Sequence, residues 1–334
     1  MGFACIDIGT VTCRLALWSD DPAHLDPQEK HSTICDLGRG VDATGRLRED
    51  RVAAVVGCVR DYLVRAVAAG HTRVVCTCTS AARDAANAAD LLDPLRAMGL
   101  EPQVIPGRVE GELTFMGVTC DMPGERVAVA DSGGGSTEVA LGRADANQTS
   151  VEWVHSFDLG CRRMADRFGL GEGPVAPATL HEAHRACEDV FAALPWVSGT
   201  TEPPARLAAV GGTVTTLVAV RDQLVPYDPS RVHLATLTLA DIERLEARLS
   251  ALTPDDLRNV AGLQPQRAPV ILGGVVVVGS LMRAAGADEL TVSEGDLLRG
   301  LAMAVRASLA GTRKEGSWRP CLKEVGVQKG CNIR

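Results

Sequence analysis

Aromatic side chains are scarce: Phe, Tyr and Trp make up 3% of the 334 residues. The cores are therefore left to Ala, Val and Leu, and no surface for stacking bases is apparent. An excess of positive charge is also missing. The 34 Lys and Arg face 42 Asp and Glu, for a net charge of −8, whereas a nucleic-acid binder is expected to carry a basic footprint. No GxxxxGK[ST] loop is present, which excludes P-loop nucleotide hydrolysis. No CxxC pair occurs among the eleven cysteines; scattered, odd in number and set in apolar runs such as those holding Cys76 and Cys78, they read as buried thiols in a reducing compartment. Neither a basic n-region nor an apolar h-region follows Met1, so no signal peptide is expected. The most apolar run, residues 268–282, falls short of the roughly 18–20 residues that span a bilayer and reads as a buried helix. The expectation is a cytoplasmic protein with neither nucleic acid nor membrane as partner.

Apolar residues reach 46%, ample for sizeable cores, and the length suits about two domains. Strands, tight turns and helical periodicities alternate along the chain, which predicts α/β architecture. Residues 80–99 read as one long amphipathic helix ending at Gly99, and residues 121–126 have the turn chemistry of a hinge. His181 and His184 share a helix face without an obvious carboxylate or thiol partner, and read as a surface pair. The expected division is an N-terminal domain over 1–124, a C-terminal domain over 125–312 and a loose tail over 313–334.

Two segments a third of the chain apart nearly repeat each other. Residues 4–14 read ACIDIGTVTCR, and residues 128–138 read AVADSGGGSTE. Each is an apolar strand ending in Asp, then a turn of Gly and hydroxyl residues, then a second strand. Such turns expose consecutive backbone N–H groups and form anion-binding concavities. Taken alone, Asp7, Gly9, Thr10 and Thr12 could be an ordinary hairpin. The run Gly133-Gly134-Gly135-Ser136 is more specific, because glycines weaken a strand and mark close approach of the backbone to something else. Thr79 and Ser80 open a helix whose N–H groups and dipole favour phosphate, with Arg83 placed to reach back bidentately. Gly211-Gly212-Thr213 forms another strand-to-helix turn. Two Asp turns imply two similar halves facing each other across a cleft, with a phosphate chain between them.

The segments DIGTVT, TSAARDAAN, IPGRVEGEL, DSGGGSTE, SFDLGCRRM, AVGGTVTTL and VSEGDLLRG occur in the order seen in the exopolyphosphatase/guanosine pentaphosphate phosphatase (Ppx/GppA) family, which this chain resembles from residue 3 to about 303. The resemblance implies two related actin/Hsp70/sugar-kinase-like (ribonuclease H-like) α/β domains flanking an interdomain cleft. It implies release of terminal phosphate from inorganic polyphosphate, with guanosine pentaphosphate (pppGpp) as the alternative substrate. A non-catalytic polyphosphate or nucleotide sensor, or an actin-like ATPase, remains open on the same fold, as does a homodimer. By the resemblance Glu110 is the catalytic glutamate that positions and deprotonates water, Asp131 and Glu138 support Mg²⁺ (or Mn²⁺) and the water network, and substrate is held by both turns, Arg14, Thr79, Ser80, Arg83 and Gly211-Gly212-Thr213. Arg162 and Arg163 would complete the cleft. The chain departs from the family pattern at Val11, Asp36, Val109 and Pro269, where Asn, a basic residue, an acid and Asp are usual.

Overall fold

A computed structural model describes residues 2–145, 148–312 and 317–326. The first half contains β1 (Gly2–Ile8), β2 (Thr12–Ser19), β3 (Glu29–Ile34), α1 (Val41–Thr44), α2 (Glu49–Ala68), β4 (Arg73–Cys78), α3 (Ser80–Asp84), α4 (Ala89–Ala97), β5 (Pro102–Val104) and α5 (Gly107–Thr119). The second contains β6 (Arg126–Ser132), β7 (Thr137–Asp145), β8 (Gln148–Phe157), α6 (Cys161–Phe168), α7 (Pro177–Phe191), β9 (Arg206–Val210), α8 (Gly212–Arg221), α9 (Pro229–Val232), β10 (Thr236–Thr238), α10 (Leu239–Ser250), α11 (Pro254–Arg258), α12 (Ala268–Ala285), β11 (Glu289–Val292) and α13 (Leu297–Leu309). A short β12 (Lys323–Glu324) follows.

The two halves repeat one strand order. The first sheet runs β12-β4-β1-β2-β3 with β5 beside β4, and the second runs β10-β11-β9-β6-β7-β8. In each, the opening strand pairs antiparallel with the next and parallel with a later one. This is the internal duplication that the paired Asp turns predicted. The opening strands are buried on both faces, which explains their near-continuous apolar runs. In β1, Ala4, Ile6 and Ile8 face the core under α2, while Phe3 and Cys5 face α13. In β6, Ala128 and Ala130 join the core around α12, while Val127 and Val129 face α5.

Helices α5 and α13 therefore lie between the sheets. They meet backbone to backbone: a Cβ at Gly300 would stand 1.9 Å from the Leu113 carbonyl oxygen, and one at Gly117 2.2 Å from that of Asp296. Although α13 falls by order within 125–312, it packs on β1 and α5 of the first half. Part of the expected tail is also tied down. Lys323 and Glu324 pair with Val74 and Arg73, and Val325 is buried under the first sheet; residues 313–316 and 327–334 of that tail lie outside the described residues.

Two other readings change. Residues 80–99 form two helices, not one, because Asn87 turns its side-chain amide to both backbone groups of Leu47 at 2.7 and 3.0 Å and interrupts the helix between Asp84 and Ala89. His184 is not a bare surface residue: its ring nitrogens lie 2.7 Å from Ser280 Oγ and 2.6 Å from Glu246 Oε2. The apolar run 268–282 becomes α12, 18 residues long. With the turn before it, Pro265–Ala285 is long and apolar enough to cross a membrane, but 78% of its apolar 18-residue window is buried inside the protein.

Candidate active site

The sheets bring the two Asp turns together. Gly133 N–H closes the second turn on Ser136 O at 3.0 Å, and Gly9 N–H closes the first on Thr12 O at 3.0 Å. The turns touch: a Cβ at Gly134 would come within 2.8 Å of Thr10 and Val11, and one at Gly135 within 2.4 Å of Ser80 Oγ. Only glycine fits there. One cavity opens between them, lined by Asp7, Gly9, Thr10, Thr12 and Arg14 from the first half, with Thr79, Ser80 and Glu110 beside them, and by Asp131, Gly133, Gly134, Gly135, Ser136, Gly211, Gly212 and Thr213 from the second. Val11, noted from the sequence as a departure from the family pattern, also lines it, as do Ser132, Cys161 and Arg267, which the sequence reading did not single out.

Arg83 and Glu138 do not line that cavity; they stand behind its wall. Arg83 Nη1 lies 2.6 Å from Glu110 Oε2 and 2.9 Å from the Ile105 carbonyl oxygen, and Nη2 lies 3.5 Å from Glu138 Oε1. Glu138 Oε1 also accepts from Ser156 Oγ at 2.6 Å. The guanidinium expected to reach back to phosphate is thus engaged with the carboxylate expected to activate water. Helix α3 is only five residues long, and the Ala81 N–H at its start donates to Thr10 Oγ1 at 3.2 Å. The hydroxyl of the first turn takes that group.

Glu110 is placed by glycines. Helix α5 lies flush on β7 and β8 because Gly107 and Gly111 share a face; side chains there would run into Ser156 and Val154 at 2.3 and 2.7 Å. This brings Glu110 into a buried position, 7% exposed, against Arg83. Burial, with the nearby Glu138 charge, pushes its carboxyl well above the usual range against the pull of Arg83. The neighbouring Val109, where the family usually has an acid, packs instead on the apolar cluster around α13.

Asp131 is buried too, and burial pushes it up to about 7, with Arg14 opposing. One of its oxygens accepts from Thr114 Oγ1 at 3.1 Å. Arg14 is itself clamped, donating to Asp7 at 2.7 and 3.1 Å and to Asp296 at 3.0 Å. Burial works against its charge, but Asp7 and Asp296 outweigh that. Arg267 differs. It stacks against Gly212 so closely that a Cβ there would meet its guanidinium at 2.1 Å, and it makes one side-chain bond, to Gln264 Oε1 at 3.3 Å. Among the described residues no carboxylate pairs with it, and burial lowers its pKa. An unpaired cation facing the N-terminus of α8, beside two anion-cradling turns, is a place for phosphate.

Arg162 and Arg163 join the halves instead of completing the cavity. Arg162 donates to both oxygens of Asp36 at 2.9 and 2.7 Å and to Asp166 at 3.0 Å. Arg163 reaches Asp84 at 2.6 Å, Gly135 O at 2.7 Å, and Asp42. The acid at position 36, where a basic residue is usual, is therefore the partner of Arg162. Val11, in place of Asn, makes apolar contact with Cys161 and Val270 across the cleft.

Comparison with known proteins agrees with this geometry. The profile of the Ppx/GppA phosphatase family matches residues 19–306. Exopolyphosphatase 2 of Mycobacterium tuberculosis is 35% identical over 335 residues, covering 92% of this chain and 98% of that protein. Among solved structures, the Aquifex aeolicus Ppx/GppA family member superposes with a TM-score of 0.75 at 27% identity, covering 94% of this chain and 99% of that one. An exopolyphosphatase from Cytophaga hutchinsonii superposes with a TM-score of 0.81 at 25% identity, with coverage of 94% and 99%.

Proposed function

The chain belongs to the Ppx/GppA phosphatase family, and on that premise we propose that it is a phosphoanhydride hydrolase releasing terminal phosphate from inorganic polyphosphate. The observation that carries the reading is the placement of Glu110: a buried carboxylate of raised pKa, fixed by Arg83, on the wall of a cavity built from two glycine turns.

Phosphoryl transfer asks little covalent chemistry of a protein; positioning and charge neutralisation do most of the work. Turn N–H groups, the start of α8 and Arg267 hold the terminal phosphate. Glu110 Oε2 is engaged by Arg83, which leaves Oε1 to orient water in line with the leaving oxygen and take its proton. A base with a raised pKa takes that proton more readily at neutral pH. Closure of the halves around the phosphate excludes bulk water, and the Arg162–Asp36 pair and the Arg163 pairs hold them together.

The cavity has the chemistry of a Mg²⁺ (or Mn²⁺) site completed by substrate. Asp131 supplies a hard oxygen donor, and Ser132 Oγ is buried there with no partner among the described residues. Among those residues no group of three His, Cys, Asp or Glu forms a cage, which suits an ion that takes one or two carboxylates plus phosphate oxygens and water. Glu138, expected as a second ligand, is held by Ser156 and Arg83, so we assign the ion to Asp131. When bound, the ion neutralises charge on the phosphates. Phosphate-release assays on polyphosphates of defined length, with pppGpp and ATP alongside, test the substrate; faster turnover of either nucleotide would overturn the choice of polyphosphate.

A further inference from the structure

After β11 the chain passes through Glu294 and Gly295 to Asp296, the cap of α13. The two carboxylate oxygens of Asp296 do different work. Oδ1 accepts the Leu298 N–H at 3.0 Å and closes the first turn of the helix. Oδ2 takes two cations at once, Arg14 Nη1 at 3.0 Å and Lys30 Nζ at 3.1 Å. Burial works against the charge of Asp296, yet Lys30 and Arg14 hold its carboxyl below the usual range. Asp296 does not line the active cavity. It stands behind Arg14 and faces a second cavity of about 370 Å³, which Lys30 also lines.

Arg14 does line the active cavity, together with Asp131, but its fork is spent. Nε and Nη2 both donate to Asp7 Oδ2, at 3.1 and 2.7 Å, which uses one edge of the guanidinium. The remaining edge, Nη1 with Nη2, is engaged at Nη1 by Asp296. Asp7 is fixed in turn, since its Oδ1 accepts from Thr77 Oγ1 at 3.0 Å. A bidentate grip on phosphate needs a free edge with two parallel N–H groups. Arg14 gains one by leaving Asp296, the acid that no strand residue locks in place.

Charge points the same way. Asp7 and Asp296 cancel Arg14 and Lys30, with Glu294 a further acid at 3.9 Å on the outer side of Lys30. Without Asp296 this group turns one charge more positive beside the cavity that holds Asp131. Such a change favours an anion there and disfavours a divalent cation.

We propose that Asp296 is a positioning residue that, balanced by Lys30, withholds Arg14 from phosphate and so sets how the cavity divides its affinity between a divalent cation and free orthophosphate. The proposal rests on the reading of the cavity as a phosphate and ion site. A guanidinium forked on phosphate would grip the released product as firmly as the terminal group of the substrate, and its charge would oppose an ion at Asp131. Held by two carboxylates, Arg14 does neither. Lys30 tunes the hold, because it competes with Arg14 for the same Asp296 oxygen.

The test is a pair of titrations on metal-free, full-length protein: orthophosphate by calorimetry, and Mn²⁺ by the EPR signal of the free ion. Asp296→Asn keeps a good helix cap and removes the charge. It should bind orthophosphate roughly tenfold more tightly and Mn²⁺ roughly tenfold more weakly, the scale of one nearby charge in a partly buried site. Lys30→Gln alters an edge-strand side chain that is 33% exposed. It should do the reverse by roughly two- to threefold, since solvent screens that charge. A substitution that merely loosened the fold would weaken both ligands, so shifts of opposite sign are the signature. Asp296→Asn that weakens both ligands or leaves both unchanged overturns the proposal, as does a Lys30→Gln shift in the same direction as that of Asp296→Asn. Should Asp296→Asn fail to fold, Lys30→Gln decides alone: tighter Mn²⁺ with weaker orthophosphate supports the role, and no change overturns it. Parental protein that binds both ligands yet hydrolyses no polyphosphate tells against the hydrolase reading instead, and the titrations still decide the role of Asp296.

Discussion

Arg83 and Glu110 form a partly buried ion pair of 2.6 Å, and the same guanidinium stands 3.5 Å from Glu138. One cation thus spans two carboxylates, one on the cavity wall and one behind it. Removing it leaves two buried acids with no cation between them, and one of the two must then take up a proton. In the proposed reaction Arg83 would set the charge state and direction of Glu110.

For this reason Arg83→Ala is expected to reduce kcat, and not merely raise KM, by roughly a hundredfold or more, the scale of losing a well-set general base. Arg83→Lys should recover part of the loss, since it restores the charge but not the fork. Steady-state kinetics on a short polyphosphate separate the two parameters. A variant with a raised KM and parental kcat would place Arg83 on substrate instead.

Arg267 should behave in the opposite way. It has no carboxylate partner among the described residues and lines the cavity, so Arg267→Ala should raise KM by roughly ten- to a hundredfold, as expected for a lost charge-assisted hydrogen bond worth about 1.5–3 kcal/mol. Turnover at saturation should change much less. Unchanged KM would remove Arg267 from phosphate binding.

Divalent ion dependence can be read directly. Protein treated with EDTA and desalted should release no phosphate, and Mg²⁺ or Mn²⁺ should restore release. Asp131→Asn should blunt that restoration far more than Glu138→Gln, because Glu138 lies outside the cavity. Full turnover by metal-free protein would contradict the assignment.

The crossing of α5 and α13 gives a prediction for stability alone. A methyl at Gly300 would sit 1.9 Å from the Leu113 carbonyl oxygen, so Gly300→Ala must push the helices apart at a cost of about 1–3 kcal/mol. Urea denaturation should show a lowered midpoint with little change in slope. Parental stability would mean that the helices can separate freely.

Much of this was written in the chain, for physical reasons that also mark where reading stops. The Asp7 and Asp131 turns were legible because glycine runs after an apolar strand have few structural uses. The halves they announce share one strand order. Glu110 is one of two acids on its helix, and only its family segment singled it out; the Gly107–Gly111 pair that lays α5 on the sheet was a usable signal left unread. Arg267 sits in the plain segment Gln-Pro-Gln-Arg-Ala-Pro, and its role arises from the approach of Gly212, which is distant in sequence. Glu138 and Arg83 were found as residues, but their pairing with each other behind the cavity was not, since local pattern does not say which side of a wall a long side chain takes. The same limit hid the pairing of Arg162 with Asp36 and of Arg163 with Asp42 and Asp84, which lie about 80 to 130 residues away.

The central claim is that Glu110 activates water in the cleft. Phosphate release from a polyphosphate of defined length should be measured for the parent and for Glu110→Gln, with substrate binding followed in parallel by calorimetry. The account predicts that turnover falls by at least roughly a hundredfold while binding persists. Near-parental turnover by the Gln variant would contradict it.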